Sequence, residues 1–273
     1  MKKEFLDIKI IMCDIDGTLL SEKGYVSPAN ISAIKKIREK GIMFGLSTGR
    51  DVHSVLASLS RWGIDGLVDA VVGSGGAEIY DRKTNIKKDG YSLDEKHVME
   101  IYHHFKDMDV NFSIPYDGVL YALKDDHHIQ QLAEFDHEPY KVLPLDEFLQ
   151  LPLLKFMIVC DPETMKHVVE RSKELHSSEY TSSALVTASV LYEFMDPRIS
   201  KANGLKELLE TYGLHMQQLC TFGDADNDYD MTKEAGIGIA MANACERTKS
   251  VADYICGYCE EDGVARFIEE NLV

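Results

Sequence analysis

Short apolar runs alternate with amphipathic segments through the first third of the chain. Residues 8–13 are apolar except at Lys9, which is typical of a strand buried on both faces of a parallel sheet. Residues 28–40 carry isoleucines at helical spacing, begin with Pro28 and end before Gly41, as a capped amphipathic helix does. The same alternation predicts strands at 42–47 and 70–73 and a helix at 51–62.

This alternation stops after residue 81 and resumes at Lys201. In between, residues 110–114 and 118–123 flank a turn at 115–118, as in an antiparallel hairpin, and helices and paired strands follow in mixed order. We therefore predict an α/β fold with two parts. A doubly wound, Rossmann-like parallel sheet core is formed by residues 1–81 and 197–273, and an α+β domain is inserted at residues 82–196.

The charge of the chain limits its partners. With 46 acidic and 29 basic residues among 273, the formal net charge is −17, which argues against nucleic acid and anionic membranes as partners. An anionic substrate would therefore need a local cation. No stretch approaches the ~18 apolar residues of a membrane helix, the start does not resemble a signal peptide, and six scattered cysteines argue against a disulfide framework. We expect a cytoplasmic protein.

Polar motifs follow the first two predicted strands, at the sheet edge where ligands of open α/β folds bind. In the motif DIDGT at 14–18, two carboxylates can converge on one cation, and glycine lets the backbone turn closely around an anion. The alternative is a loop that only makes turn hydrogen bonds. The motif STGR at 47–50 offers a hydroxyl and backbone amides to an oxyanion, or simply caps the next helix.

Two further elements complete the set. Lys201 opens a helix, and although an isolated lysine is usually solvated, a phosphate site in so acidic a protein needs a cation. The motif GDADND at 223–228 suits a hard, oxygen-seeking cation. A calcium-binding helix-loop-helix is excluded, because positions six and twelve from Asp224 are Tyr229 and Ala235 instead of glycine and glutamate. The predicted ion is Mg²⁺.

Taken together, DIDGT, STGR, Lys201 and GDADND resemble, in this order, the four motifs of the haloacid dehalogenase superfamily of phosphotransferases. The insertion resembles the large α/β cap of its Cof-type, sugar-phosphatase-like branch, and the resemblance covers essentially the whole chain. The chain departs from that branch at residues 73–77, GSGGA, where relatives commonly have Asn-Gly-Ala.

The resemblance implies roles for individual residues. Asp14 would be the nucleophile, and Asp16 would be the general acid and base. Further implied roles are phosphate binding by Ile15, Thr48, Gly49, Lys201 and Asn227, Mg²⁺ binding by Asp14, Asp16 (through its backbone carbonyl) and Asp224, and support by Asp228.

The function expected on this basis is Mg²⁺-dependent hydrolysis of a small phosphorylated metabolite, a sugar phosphate or similar phosphomonoester, through an aspartyl-phosphate intermediate. Two alternatives remain open from the sequence. A phosphomutase of related architecture would return the phosphate to a sugar, and a non-catalytic regulator would only bind the phosphometabolite. We expect the insertion to be a mobile cap that sets the choice of substrate, which the sequence does not identify.

We assign no chemical role to the remaining cysteine and histidine pairs in the sequence. Cys256 and Cys259 form a single CxxC, and without a second pair we interpret them as loop thiols. The histidine pairs at 103–104 and 127–128 fall in the predicted insertion, where no suitably spaced third ligand is evident, and we interpret them as parts of helix surfaces.

Overall fold

The computed structural model describes residues 5–21, 24–177 and 179–273. Within these ranges its strands are β1 Ile10–Cys13, β2 Met43–Ser47, β3 Ala70–Gly73, β4 Glu78–Asp81, β5 Ile86–Asp89, β6 Asn111–Tyr116, β7 Val119–Ala122, β8 Tyr140–Val142, β9 Phe156–Val159, β10 Ser183–Ala188, β11 Leu191–Met195, β12 Leu219–Gly223, β13 Ile237–Ala240 and β14 Tyr254–Ile255. Its helices are α1 Pro28–Glu39, α2 Val52–Trp62, α3 Glu95–Phe105, α4 His127–Asp136, α5 Leu145–Phe148, α6 Pro162–Ser172, α7 Lys201–Tyr212, α8 Tyr229–Glu234, α9 Glu246–Lys249 and α10 Gly263–Asn271. None of the helices in these ranges is long and apolar enough to span a bilayer.

The chain divides into two compact units. The core unit comprises the described residues up to Lys88 together with Ser200–Val273, and the inserted unit is Asp89–Ile199. The first division falls at Lys88 and not at residue 81, because β5 adds a strand to the edge of the core sheet. The segment Ile86–Asp89 is polar and mostly exposed, as edge strands often are, so its sequence carries no apolar signal. That the inserted unit acts as a cap stays a prediction.

The core unit is a three-layer sandwich around one sheet of order β14-β13-β12-β1-β2-β3-β4-β5. The strands from β14 to β3 are parallel, and β4 turns back antiparallel to β3. Alternate residues of β1 face opposite layers: Ile11 packs in the cluster with α1, α2 and α10, and Met12 packs with α7 and α8. Burial on both faces explains the continuous apolar run, and the predicted α/β fold class is confirmed.

The order of the strands brings the polar motifs together. β1 lies between β2 and β12, with Cys13 in register with both Leu46 and Phe222. Because all three strands run in the same direction, the loops that follow them meet at one edge of the sheet. These loops are the ones that carry DIDGT, STGR and GDADND.

The loop after β3 brings α7 close to this edge. Gly75 and Gly76 have φ angles of +68° and +112°, which favour glycine, and a Cβ on Gly76 would overlap the carbonyl of Ser200. From the other side, a Cβ on Gly204 would lie 2.9 Å from the Cα and carbonyl oxygen of Gly76. The departure GSGGA is therefore a packing feature, because it lets the first turn of α7 approach β3.

The inserted unit is built on a separate sheet of order β10-β11-β9-β6-β7-β8. α3 and α6 pack with β6 on one face, and α4 packs with β7 on the other. The hairpin of β6 and β7 turns at Asp117 and Gly118, with φ angles of +57° and +75°. The observed turn is thus shorter than the predicted turn at 115–118, because Pro115 pairs with Leu120 inside the strand ladder.

A glycine substitution tests the packing of α7. We expect Gly76→Ala to lower the free energy of unfolding by at least ~3 kcal/mol, because the new Cβ combines backbone strain with overlap on Ser200. Gly41→Ala is the matched control: φ is +79°, but a Cβ there meets no atom of the described residues within 4 Å, so strain alone should cost about 1 kcal/mol. Urea unfolding measures both, and equal losses would show that the close approach is unimportant.

Candidate active site

The loop after β1 contacts the end of β12 and the loop that follows it. The Asp14 amide donates to the carbonyl of Phe222 at 2.9 Å, and the Asp14 side chain is buried. Gly17 has a φ of +82°, and a Cβ there would lie 2.6 Å from Oδ2 of Asp224. The Thr18 hydroxyl donates to Oδ1 of Asp224 at 2.6 Å. The DIDGT and GDADND motifs are therefore in direct contact.

Lys201 lies between two buried carboxylates. Its Nζ donates to Oδ1 of Asp14 at 2.5 Å and to Oδ1 of Asp228 at 2.6 Å, and its side chain is only 1% exposed. Ser200 caps α7 by accepting from the amide of Asn203, which fixes Lys201 at the first helical position. Burial opposes the charged form, but Asp14 and Asp228 outweigh it and raise the pKa of Lys201 above its ordinary value.

Asp228 organises the loop around it. Its Oδ2 accepts from the amides of Asp224 at 2.8 Å and Ala225 at 2.9 Å, while Oδ1 accepts from Lys201. Gly223 allows this approach, since a Cβ there would lie 2.6 Å from Cβ of Asp228. Both oxygens of Asp228 are therefore engaged by the protein, and the supporting role of this residue stays a prediction.

The carboxylates of this edge could hold a divalent cation. Asp14, Asp224 and Asp228 each bring one oxygen within 4.8 Å of the others. With Asp16 they make four formal negative charges against the two positive charges of Lys201 and Arg50. A dianionic phosphate would be repelled by the excess, so the site is suited to Mg²⁺, which favours one or two carboxylates plus substrate oxygens.

Crowding and burial affect the ionisation of these acids. Burial raises the pKa of Asp14 well above its ordinary value, although the Lys201 ammonium opposes the shift. Burial also raises the pKa of Asp224 to about 6; the Thr18 hydrogen bond opposes this shift, and the charge of Asp228 adds to it. For both acids, burial therefore disfavours the charged form more than the contacts with Lys201 and Thr18 favour it.

The side chain of Asp16 points to a different partner. Nε of Arg50 donates to its Oδ2 at 2.8 Å, and NH2 of Arg50 donates to its Oδ1 at 3.1 Å. The Asp16 side chain is 51% exposed, unlike that of Asp14. The motif STGR thus supplies an arginine that orients Asp16, a role that the sequence did not reveal because the two residues belong to different loops.

The predicted phosphate-binding residues lie around the same edge. Thr48 is buried after β2, its amide donates to Val72, and its hydroxyl accepts from the amide of Arg50 at 3.2 Å. Gly49 follows it, and Ile15 is buried directly after Asp14. Asn227 lies in the GDADND loop, where its buried Oδ1 has no hydrogen-bond partner among the described residues. Phosphate binding by these residues stays a prediction.

Two supporting residues were not identified from the sequence. The fully buried Glu78 accepts from the first amide of α2, from the Ser74 hydroxyl at 2.7 Å and from Lys87 at 2.6 Å. It thereby fixes the helix that follows STGR. Asn243 donates to the carbonyl of Gly17 at 2.8 Å and accepts from the amide of Cys259 at 3.0 Å. Contacts between distant loops, such as these, are visible in a structure but have no local sequence signature.

The thiols of Cys256 and Cys259 lie in environments that favour their protonated form. Both thiols are free, and burial raises the pKa of each to about 12. Reactive and metal-binding cysteines have a lowered pKa, because the thiolate is the active form. The interpretation of Cys256 and Cys259 as loop thiols stays a prediction.

The raised pKa of Asp224 leads to a prediction about stability without metal. The pKa of Asp224 is about 6 in the folded state and 3.8 in its ordinary, solvated state. The folded state therefore binds the proton more tightly, which stabilises it fully below pH 4. This stabilisation is lost as the pH rises through 6. In EDTA at pH 7, Asp224→Asn should therefore raise the Tm by ~2–4 °C, about 1 kcal/mol. The gain should vanish towards pH 4, as measured by thermal unfolding. A lower Tm for the variant at pH 7 would contradict the electrostatic argument.

Comparisons with known proteins identify relatives that match nearly the whole of this chain. 5-Amino-6-(5-phospho-D-ribitylamino)uracil phosphatase YcsE of Bacillus subtilis is 28% identical over 271 residues, covering 98% of this chain and 97% of that protein. The chloroplastic endoribonuclease YBEY of Arabidopsis thaliana is 27% identical, but the match covers only 45% of that longer protein. The structure of a haloacid dehalogenase-like hydrolase from Bacteroides thetaiotaomicron superposes with a TM-score of 0.85 at 26% identity, covering 96% of this chain and 99% of that one.

The family assignment follows from a match over nearly the whole chain. Residues 11–268 match the family model of haloacid dehalogenase-like hydrolases, a range that includes all four motifs and the inserted unit. The resemblance seen in the sequence is thereby confirmed. This chain belongs to the haloacid dehalogenase-like hydrolases.

Proposed function

We propose that this hydrolase is a Mg²⁺-dependent phosphatase that hydrolyses a small phosphomonoester with Asp14 as nucleophile. The observation that carries the proposal is the buried Lys201, which contacts Asp14 and Asp228 at 2.5 and 2.6 Å beside Asp224. A lysine held in this way provides positive charge next to a carboxylate nucleophile. Phosphoryl transfer needs this combination of positioning and charge neutralisation.

Asp14 and Asp224, with the backbone carbonyl of Asp16, are the residues that would hold Mg²⁺. When bound, the ion would neutralise negative charge on the phosphate and on the carboxylates that surround it. Asp228 is already engaged by Lys201 and two amides, so it would keep Lys201 and the Asp224 loop in place. Thr48, Gly49, Lys201 and the Ile15 amide would bind the phosphate oxygens, and Asn227 would contact the phosphate from the neighbouring loop.

The reaction then proceeds in two steps at phosphorus. A carboxylate oxygen of Asp14 attacks phosphorus, the bond to the leaving alcohol breaks, and Asp16 gives its proton to the alcohol oxygen. In the second step Asp16 takes a proton from water, the water oxygen attacks phosphorus, and the bond to Asp14 breaks to release inorganic phosphate. The two hydrogen bonds from Arg50 would orient the ionised Asp16 as the base of the second step. In the first step one oxygen of Asp16 would carry the proton towards the leaving alcohol, and Arg50 would keep its hydrogen bond to the other oxygen.

The relatives suggest where the search for a substrate should begin. YcsE is named for a phosphate ester of a ribitylamino-uracil, in which the phosphate is carried by a sugar-like polyol chain. We therefore propose a sugar phosphate or a similar phosphorylated polyol as the substrate of this chain. The ester of the relative is one candidate among these.

A panel of phosphomonoesters tests the function. With Mg²⁺, the protein should release inorganic phosphate from at least one sugar or polyol phosphate, and EDTA should stop the release until Mg²⁺ is restored. Ca²⁺ should restore it poorly, because it is larger and takes more ligands. Colorimetric detection of inorganic phosphate measures the release with Mg²⁺, with EDTA and with Ca²⁺.

Two variants of the same protein serve as controls in this panel. Asp14→Asn should lower turnover by at least about 1,000-fold, since an amide is a far poorer nucleophile. Asp226→Asn changes an exposed aspartate of the same GDADND loop and should leave turnover unchanged. Full activity in EDTA would refute the metal dependence, and activity of Asp14→Asn above a few per cent would refute the nucleophile.

The role of Asp16 predicts a dependence on the leaving group. Asp16→Asn should slow hydrolysis of an alkyl phosphate by about 10²–10⁴-fold, because the alkoxide then leaves without a proton. The loss should be much smaller for p-nitrophenyl phosphate, whose leaving group needs no protonation. The ratio of kcat values for the two esters, in variant and wild type, measures this. An equal loss for both esters would assign Asp16 a role other than proton transfer.

A further inference from the structure

The inserted unit brings together two histidines and two aspartates at one end of its sheet. β7 and β9 both pair antiparallel with β6, so they end on the same side, where β6 begins. α4 starts there with His127 and His128, α6 starts there after Asp161, and Asp109 lies just before β6. Residues more than 30 positions apart in sequence thus meet at one place, which is why the sequence indicated no third ligand beside the histidines.

His128 has a buried imidazole nitrogen, Nε2. Its side chain is only 2% exposed, and its Nε2 has no hydrogen-bond partner within the described ranges. The nearest carboxylate is that of Asp109, with Oδ1 at 3.8 Å, which is too far for a hydrogen bond. An unpaired imidazole nitrogen in such a position is costly unless it binds something.

The neighbouring donors have the spacing of a metal site. One donor atom each from His127, His128 and Asp161 lies within 4.8 Å of the others, and Nε2 of His127 is 3.6 Å from Oδ2 of Asp161. Ligand atoms bound tetrahedrally at the usual Zn–N and Zn–O lengths lie about 3.4 Å apart. Small rotations of these side chains would therefore bring the three donor atoms to bonding distance from one ion.

We propose that the inserted unit binds Zn²⁺ through His127, His128 and Asp161, with Asp109 placed to add a further oxygen ligand. Two imidazoles and a carboxylate favour Zn²⁺ over Mg²⁺, which takes oxygen ligands. The amino ends of α4 and α6 carry partial positive charge and disfavour a cation, so the two aspartates are needed to offset it. The ion would tie the starts of these two helices together across the end of the sheet.

This site is distinct from the phosphatase site in its residues and in its chemistry. All four side chains belong to Asp89–Ile199, whereas Asp14, Asp224 and Lys201 belong to the core unit. Zn²⁺ binding can therefore be measured without an activity assay. It can also be measured with the core acids saturated, by adding Mg²⁺ in excess.

Two conservative variants remove ligands without disturbing the core. His127 and Asp161 are about half exposed, and the Asp161 side chain makes no capping hydrogen bond to α6, so His127→Gln and Asp161→Asn should fold. The matched control is the double variant His103→Gln/His167→Gln, which removes two exposed histidines from other helices of the same unit. Asp224→Asn serves as a control for binding at the core acids.

The experiment is a Zn²⁺ titration by calorimetry in millimolar Mg²⁺, repeated with Co²⁺ to record visible absorption. We expect one equivalent of Zn²⁺ per chain and a Co²⁺ spectrum of four or five ligands. His127→Gln and Asp161→Asn should each weaken Zn²⁺ binding at least about tenfold, while both control variants bind as the wild type does. Far-UV circular dichroism checks that every variant is folded.

Three results would overturn the proposal. The first is the absence of a bound equivalent in the wild type, and the second is unchanged binding in both ligand variants. The third is loss of binding in Asp224→Asn alone, which would assign the ion to the core acids. The first two results leave the phosphatase proposal untouched, and the third places a metal at Asp224, which that proposal allows. Failure of this proposal is therefore distinguishable from failure of the proposed function.

Discussion

The core unit is organised around one buried ammonium group. Lys201 is almost completely enclosed, and the two carboxylates that it contacts come from the loops after β1 and β12. Removing one partner from a buried ionic group of this kind costs several kcal/mol, because the remaining charge stays desolvated. The positions of α7, Asp14 and Asp228 are therefore mutually dependent, and the glycines that let α7 approach β3 are part of the same constraint.

The same edge contains more negative charge than Lys201 and Arg50 can balance. Burial makes this imbalance costly, as the raised pKa values of Asp14 and Asp224 indicate. A protein that only needed to be stable would replace such acids with neutral residues. Their presence is explained if the protein is less stable in exchange for binding a cation and a phosphate. Active sites commonly keep groups that lower stability because the function requires them.

Much of this arrangement could be predicted from the sequence, because each motif directly follows an apolar strand. Parallel strands bring such loops to one edge whatever the details of packing, so Asp14, Thr48 and Asp224 could be placed together without coordinates. Contacts made by side chains across loops could not be predicted in this way. The pairing of Arg50 with Asp16 depends on side-chain conformation and has no signature in sequence spacing.

Two other features could not be predicted from the sequence, for related reasons. The strand β5 is polar because it lies at an edge, so it lacks the apolar pattern on which strand prediction depends. The cluster of His127, His128 and Asp161 joins the starts of two helices that are distant in sequence. The observation that drew attention to it is a buried nitrogen of His128 without a hydrogen-bond partner in the part of the chain that the structure describes. Only the register of the inserted sheet brings these residues together.

The central claim is that Asp14 is the residue that accepts the phosphoryl group. Acid quenching during turnover, followed by borohydride reduction and peptide mass spectrometry, measures this directly, because borohydride converts an aspartyl phosphate to homoserine. The account predicts homoserine at position 14, dependent on both substrate and Mg²⁺ and absent from Asp14→Asn. Homoserine at another aspartate, or continued turnover with position 14 never modified, would contradict it.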